Sequence, residues 1–222
     1  DAELVVTKLA KLHASMWNNP KLDEWEWIPR WDTGASLFQL GYPRWWKQLQ
    51  EKATDSFADD FRIVAEMIGP HVTSISTRLS RSPVTLCHGD FRLDNMFFDD
   101  SDAEKTLVAF DWQALRVGRP SNDLSYFMAS SLTVEDRRKH QQHLKSLYFE
   151  TLLRSGVTDY SRKIFDEDFD YSLLDIVVFT TMIGANLDFF GERGRQFVEV
   201  YITRVGDAIS EVDTERLLAK LN

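Results

Sequence analysis

Residues 87–98 read Cys87-His88-Gly89-Asp90-Phe91-Arg92-Leu93-Asp94-Asn95-Met96-Phe97-Phe98. The middle of the stretch is polar, and apolar runs flank it at residues 84–87 and 96–98. Short apolar runs bounded by turn residues predict strands. A polar loop held between strands is a common seat for binding and catalytic side chains. A third run, residues 106–110, follows a polar turn over residues 99–105 and ends at Asp111. That turn is predicted to join the last two runs as a hairpin. Asn95, at the start of one strand, would then lie beside Asp111, at the end of its neighbour. One carboxylate, one amide oxygen and water make a hard, all-oxygen set that suits Mg²⁺. Asp90, five residues before Asn95, is left to orient a hydroxyl and accept its proton. Phosphoryl transfer needs little else from a protein: an in-line nucleophile, metal on the phosphates and a residue that positions the hydroxyl.

Outward from this centre the pattern is helical. Upstream, Val5, Leu9, Leu12, His13, Met16 and Trp17 recur at helical spacing, with His13 on the apolar face as a core residue. Residues 18–42 show no sustained period and are predicted to form a long loop. Six of the seven tryptophans lie between Trp17 and Trp46; they pin that loop to the core or line a ligand pocket, and aromatics more often serve packing. A short helix is expected over residues 43–52, with Pro43 in its first turn. A longer one follows a capping box at residues 56–59, reaches about residue 79 and is kinked at Pro70. Downstream, Thr133 with Asp136 caps a helix that buries Leu144, Leu147, Tyr148, Thr151 and Leu152, with Gly156 at its C′ position. Further helices are expected over residues 170–190 and along Val198, Tyr201, Ile202, Val205 and Ile209. The fold class is therefore mainly α with a small β insert, and the insert holds the unusual residues.

Composition narrows the class. With 222 residues, 43% hydrophobic and 27% charged, the chain has a globular profile. Lys and Arg number 26 against 35 Asp and Glu, a net charge of −9, which repels nucleic-acid backbones. The basic run Arg137, Arg138, Lys139 and His140 reads as a solvated helix face. The single cysteine, Cys87, excludes a disulfide framework and a thiolate zinc site and suggests a reducing compartment. No signal peptide or membrane-spanning run is seen, so no membrane partner and a cytoplasmic location are expected.

The run His88-Gly89-Asp90-Phe91-Arg92-Leu93-Asp94-Asn95, then Phe110-Asp111-Trp112-Gln113, then Gly118-Arg119-Pro120-Ser121-Asn122-Asp123-Leu124 resembles the aminoglycoside phosphotransferase/choline kinase-like superfamily. It is closest to the phosphotransferase enzyme family and the ecdysteroid-kinase-like branch. The opening Leu9-Ala10-Lys11-Leu12-His13-Ala14 with Trp17 is similar to the first helix of that family's C-terminal lobe, so the resemblance spans nearly the whole chain. It implies that residues 1–222 form the C-terminal, catalytic and substrate-binding lobe of a protein-kinase-like fold. Asp90 would be the catalytic base, and Asn95 and Asp111 the magnesium ligands. His88 would brace the catalytic loop against the metal-binding segment. Asp123 would be a buried carboxylate that accepts backbone hydrogen bonds and holds the loop. Arg92 would contact the transferred phosphate.

The implied reaction is ATP- or GTP-dependent phosphorylation of a small-molecule hydroxyl, on an aminoglycoside-, choline- or steroid-like alcohol. The glycine-rich loop and phosphate-pairing lysine of a kinase are absent, since none of the ten glycines precedes a lysine. An upstream N-terminal, nucleotide-binding lobe is therefore an expected partner, in a protein of roughly 320 to 350 residues. Gln113 stands where protein kinases carry the glycine of Asp-Phe-Gly, so no activation-loop switch is implied. Two other readings remain: a non-catalytic kinase-like binding module, and a metal-dependent hydrolase using His88, Asp90 and Asp111. On the substrate side, Trp112 and the tryptophan-rich loop favour a bulky apolar alcohol. Glu167, Asp168, Asp170, Asp188 and Glu192 would instead suit a cation.

Overall fold

A computed structural model of the chain describes residues 1–52, 59–99, 101, 106–189 and 191–221. They fall into two compact units, Asp1–Trp31 with Ser80–Phe169, and Asp32–Leu79 with Asp170–Asn222.

The first unit holds the β insert. Helix α1 (Ala2–Ser15) buries Val5, Val6, Leu9, Ala10 and His13 and packs along the later helix α7 (Val134–Arg154). A four-residue helix, α2 (Lys21–Glu24), follows. The insert is two separate two-stranded sheets. Strand β2 (Met96–Asp99) pairs antiparallel with β3 (Thr106–Ala109), Met96 opposite Ala109. Strand β1 (Thr85–Cys87) pairs antiparallel with β4 (Arg116–Gly118), Cys87 opposite Arg116. The polar turn expected at residues 99–105 lies largely outside the described residues; within it, Ser101 N donates to Asp99 Oδ1 at 2.8 Å.

After β4 comes α6 (Ser121–Ser131), then α7. The Thr133 hydroxyl caps α7 by accepting from Asp136 N at 3.0 Å, and Gly156 follows it at φ +99, a left-handed conformation glycine adopts without strain. Leu22, Ile28, Val84 and Val117 form a small core against which Met16, Trp25, Leu86 and Leu115 pack. The tryptophan-rich segment is thereby tied down: Trp31 N donates to Val117 O at 2.8 Å and Trp17 Nε1 to Asp159 Oδ1 at 2.8 Å. Trp27 stays 73% exposed.

The second unit is helical. Helix α3 (Ala35–Lys52) carries Pro43 in its interior, so the expected loop over residues 18–42 ends earlier and the helix starts earlier than its sequence suggests. An interior proline costs about 3 kcal/mol. Burial of Tyr42 and Leu49 offsets that cost, and the Tyr42 hydroxyl donates to Ala65 O at 2.8 Å. Gly41, which reads as a breaker, makes room instead: a Cβ there would lie 2.8 Å from the Trp45 ring. Helices α4 (Asp59–Ile68) and α5 (Val72–Leu79) flank a 3₁₀ turn, Gly69–His71, which is the break expected at Pro70. Residues 56–58 of the expected capping box lie outside the described residues.

Helix α8 (Arg162–Ala185) begins eight residues before the expected start and ends earlier than expected. Its first residues belong to the first unit and its remainder to the second. Helix α9 (Glu192–Ile209) packs on α4, and a final helix, α10 (Thr214–Ala219), follows. The Tyr171 hydroxyl ties α8 to α10 by donating to Leu217 O at 2.7 Å. Among the described residues, no helix is long and apolar enough to cross a membrane.

Two sequence expectations about charge are corrected here. Arg137 is buried, with Nη1 donating to Gln141 Oε1 at 2.7 Å, so it does not belong to the solvated face of Arg138, Lys139 and His140. Asp168 is wholly buried and cannot contribute to an exposed acidic patch. It accepts from Arg119 Nη1 at 2.9 Å and from the Tyr160 hydroxyl at 2.8 Å, which also removes Arg119 from the surface.

Candidate active site

The loop that opens the quoted stretch leaves β1 through His88 and Gly89. Gly89 has φ +81, and a Cβ on it would lie 2.1 Å from the Ala114 carbonyl oxygen; both the backbone conformation and the close approach require glycine. The loop then bends so that Arg92 N donates to Asp90 O at 3.1 Å and Asn95 N to Arg92 O at 2.9 Å. Residues Leu93–Asn95 form a 3₁₀ turn leading into β2.

Asp90 and Asn95 face each other across this bend. Asn95 Nδ2 donates both to the Asp90 carbonyl oxygen and to Asp90 Oδ2, each at 2.9 Å. With its nitrogen committed, the amide has only its oxygen to present elsewhere. Phe110 N donates to Asn95 O at 3.0 Å, so the hairpin register continues one step, with Phe110 opposite Asn95 and Asp111 one residue beyond. Asp111 is a non-glycine residue at φ 64, ψ 59, and its carboxylate is exposed, with Gln113 Nε2 3.4 Å from Oδ2. Arg92 leans back over the loop, Nε 3.4 Å from Asp90 Oδ1 and Nη1 3.4 Å from Asp94 Oδ2.

His88 is buried behind this edge. Its Nε2 donates to Phe110 O at 2.9 Å, and its Nδ1 accepts from Asp90 N at 3.3 Å. One ring therefore ties the Asp90 backbone to the residue before Asp111. Trp112 lies 4.5 Å from the His88 ring, is 38% exposed and donates its indole N–H to Ala109 O. Phe97 and Val108, opposite each other in the hairpin, are largely exposed, and Phe97 stacks on Phe110 at 4.6 Å.

Below the loop lies Asp123, 1% exposed. It accepts from His88 N at 2.7 Å, Gly89 N at 2.8 Å and His13 Nε2 at 3.2 Å. Burial pushes its carboxyl up, but the His13 hydrogen bond and charge, with the Gly89 and His88 amides, outweigh it and hold the group below its usual range. Burial drives the Cys87 thiol well up, and Asp123 adds to the shift. Residue-by-residue reading left His13 as mere core; a histidine on an apolar face that needs buried partners was the available signal. The contacts of Ala114 with Gly89, and of Arg116 with Trp31 (5.0 Å to the ring centre), had no such signal.

The profile of the ecdysteroid kinase-like family matches residues 32–157, more than half of the chain. Acyl-CoA dehydrogenase family member 11 of Rattus norvegicus is 28% identical over 149 residues, 62% of this chain and 17% of that protein. Acyl-CoA dehydrogenase family member 10 of Mus musculus is 42% identical over 55 residues, 22% of this chain and 5% of that protein. The chain thus spans less than a fifth of the length of these curated relatives. A solved structure from Ralstonia eutropha, provisionally named as an aminoglycoside phosphotransferase, superposes with a TM-score of 0.51 at 17% identity, covering 92% of this chain and 64% of that one. At that identity the likeness concerns the fold, which is mainly α with a small β insert, the C-terminal lobe of a protein-kinase-like fold. The chain belongs to the ecdysteroid kinase-like family.

Proposed function

We propose that this chain is the catalytic and substrate-binding lobe of an ATP- or GTP-dependent phosphotransferase that acts on a small-molecule hydroxyl. The observation that carries the reading is the double hydrogen bond from Asn95 Nδ2 to Asp90, with Phe110 N on Asn95 O. It supports a carboxylate, an amide oxygen and a second carboxylate acting at one edge. Asp90 is the base: it orients the acceptor hydroxyl and takes its proton as the oxygen attacks the terminal phosphate. Asn95 Oδ1 and the exposed Asp111 carboxylate fit Mg²⁺, since the donor set is all oxygen and the Asn95 nitrogen is turned away. When bound, magnesium supplies charge neutralisation on the phosphates. Arg92, held between Asp90 and Asp94, is within the same loop to meet the transferred phosphate. The exposed apolar face of Phe97 and Val108 offers a floor for the nucleotide base.

The remaining nucleotide contacts belong to an N-terminal lobe, and the substrate to the class of bulky alcohols that Trp112 can flank. No nucleic-acid or membrane partner is part of this reading, and the location is cytoplasmic, on the strength of the single buried cysteine. The test is Asp90→Asn in the full-length protein, assayed for nucleotide consumption across hydroxylated compounds. A loss of about 10²- to 10⁴-fold is expected; turnover at the wild-type rate removes Asp90 as the base.

A second reading, a non-catalytic binding module, draws on the Arg92 contact with Asp90 Oδ1, which leaves both carboxylate oxygens engaged. Nucleotide titration with and without Mg²⁺ separates the two. Metal-independent binding together with no turnover favours the module.

A further inference from the structure

Arg116 opens β4, opposite Cys87 at the end of β1, and its guanidinium is fixed at two points. Its Nε donates to Ala114 O at 3.2 Å, the same oxygen that a Cβ on Gly89 would meet. Its Cζ lies 5.0 Å from the centre of the Trp31 ring, within the range of a cation–π contact. Trp31 is itself locked to β4. Its N donates to Val117 O at 2.8 Å, and Val117 N donates to Pro29 O at 2.9 Å. A Cβ on Gly118 would lie 2.9 Å from the ring, so glycine there lets the ring lie close against the strand.

With Nε spent, the remaining donors sit on Nη1 and Nη2, a planar fork that suits two oxygens of one oxyanion. In the same unit Arg30 meets Asp23, Arg92 meets Asp90 and Asp94, Arg119 meets Asp168, and Arg162 meets Asp166. Among the described residues, Arg116 meets no carboxylate. The sequence offers 35 acidic side chains and a net charge of −9, so a guanidinium without one is a local exception. Half-buried, it has lost part of its hydration without gaining a counter-charge, a cost that an anion from solvent would offset.

We propose that Arg116, stacked on Trp31, is an oxyanion-binding site beside the loop over residues 88–95, taking a carboxylate or phosphate group on Nη1 and Nη2. The anion is either carried by the alcohol that is phosphorylated or a free ion; both present the same two oxygens. The site touches the loop through Ala114 O and Gly89, the residue before Asp90, and it does not depend on the function proposed above.

The probes are sodium phosphate and sodium acetate, titrated at constant ionic strength into the full-length protein with its tryptophans labelled with nitrogen-15. The Trp31 indole signal is identified by its loss in Trp31→Phe. It should shift saturably with phosphate and with acetate and stay still with chloride. Arg116→Lys keeps the charge but loses the fork, and should bind roughly tenfold more weakly. Arg116→Gln should not bind, with the other indole signals in place. No saturable shift in the wild type, an equal shift with chloride, or undiminished binding in Arg116→Gln overturns the site. The wild-type titration decides this even if a variant fails to fold. Turnover identifies the source, using pairs of alcohols that differ only in bearing a carboxylate or its primary amide. A KM preference for the acid of roughly tenfold or more that disappears in Arg116→Gln assigns the anion to the acceptor. Equal KM values with anion binding intact assign it to a free ion. If no alcohol is phosphorylated, the proposed function fails, while the anion site still stands or falls on the titration.

Discussion

The loop over residues 88–95 has two sides that are built in opposite ways. Its underside rests on Asp123, sealed from water and accepting from His88 N, Gly89 N and His13 Nε2. Its upper edge carries Asp90, whose side chain is 23% exposed, and the exposed Asp111, with one long contact to Gln113. A group whose bonding partners must change during a reaction needs to reach solvent or ligand. A group that fixes a backbone does better hidden, where each hydrogen bond is worth more. On the proposed function these tasks fall to different carboxylates, so stability and chemistry should respond to different substitutions.

The sharpest way to break that division is Asp123→Ala. It strips two backbone amides and one imidazole of their shared acceptor and should cost about 3–5 kcal/mol, read as a lowered urea midpoint. Asp90→Asn, expected to cost most of the activity, should leave the unfolding free energy within about 0.5 kcal/mol of wild type. A large stability loss there would erase the distinction between the two sides.

The next effect is on the acid limb. The Asp123 carboxyl lies below its usual range in the folded chain, so over that interval the folded chain binds fewer protons than the unfolded one. Its contribution is full above the unfolded aspartate value of about 3.9 and is lost as pH falls through the folded value. Urea midpoints taken at descending pH should therefore drop more steeply for wild type than for Asp123→Asn. Parallel curves would show that the underside does not hold a charge.

The smallest effect is at the upper edge. Asp111 sits in left-handed backbone, which costs a non-glycine residue about 1–2 kcal/mol. Asp111→Gly should recover about 1 kcal/mol of stability while removing magnesium-dependent nucleotide binding. A variant that is destabilised, or that binds as before, would count against Asp111 as a ligand kept in spite of strain.

Much of the fold was legible because its signals are local. The Thr133 cap, Gly156, the break at Pro70 and the apolar runs of β1, β2 and β3 all state themselves in a few residues. Strand β4 did not: Arg116-Val117-Gly118 is three residues long, ends in glycine and becomes a strand only by pairing with β1. Helix α3 was only half legible: Pro43 reads as a first-turn residue, which hides the turns before it until the packing of Tyr42 and Trp45 is known. The buried states of Arg137 and Asp168 were also out of reach, since charge in a sequence reads as surface unless its partner, here Gln141 or Arg119, can be placed. At the candidate site, the bend that carries Asp90 and Asn95 and the hairpin that runs on towards Asp111 could be read from spacing. The contacts of His13 with Asp123 and Tyr148 beneath that bend could not, because His13 and Tyr148 are distant in sequence and meet only after α1 and α7 pack.

Cys87 ends β1 beside His13 and Asp123, wholly buried, its thiol driven well up by burial. An alkylating reagent needs the thiolate and an open path to it, and the folded chain offers neither. The rate at which this lone sulfur takes a label is thus a clock for how often the layer between α1 and the loop over residues 88–95 parts, ticking inside the native sequence without any engineered probe.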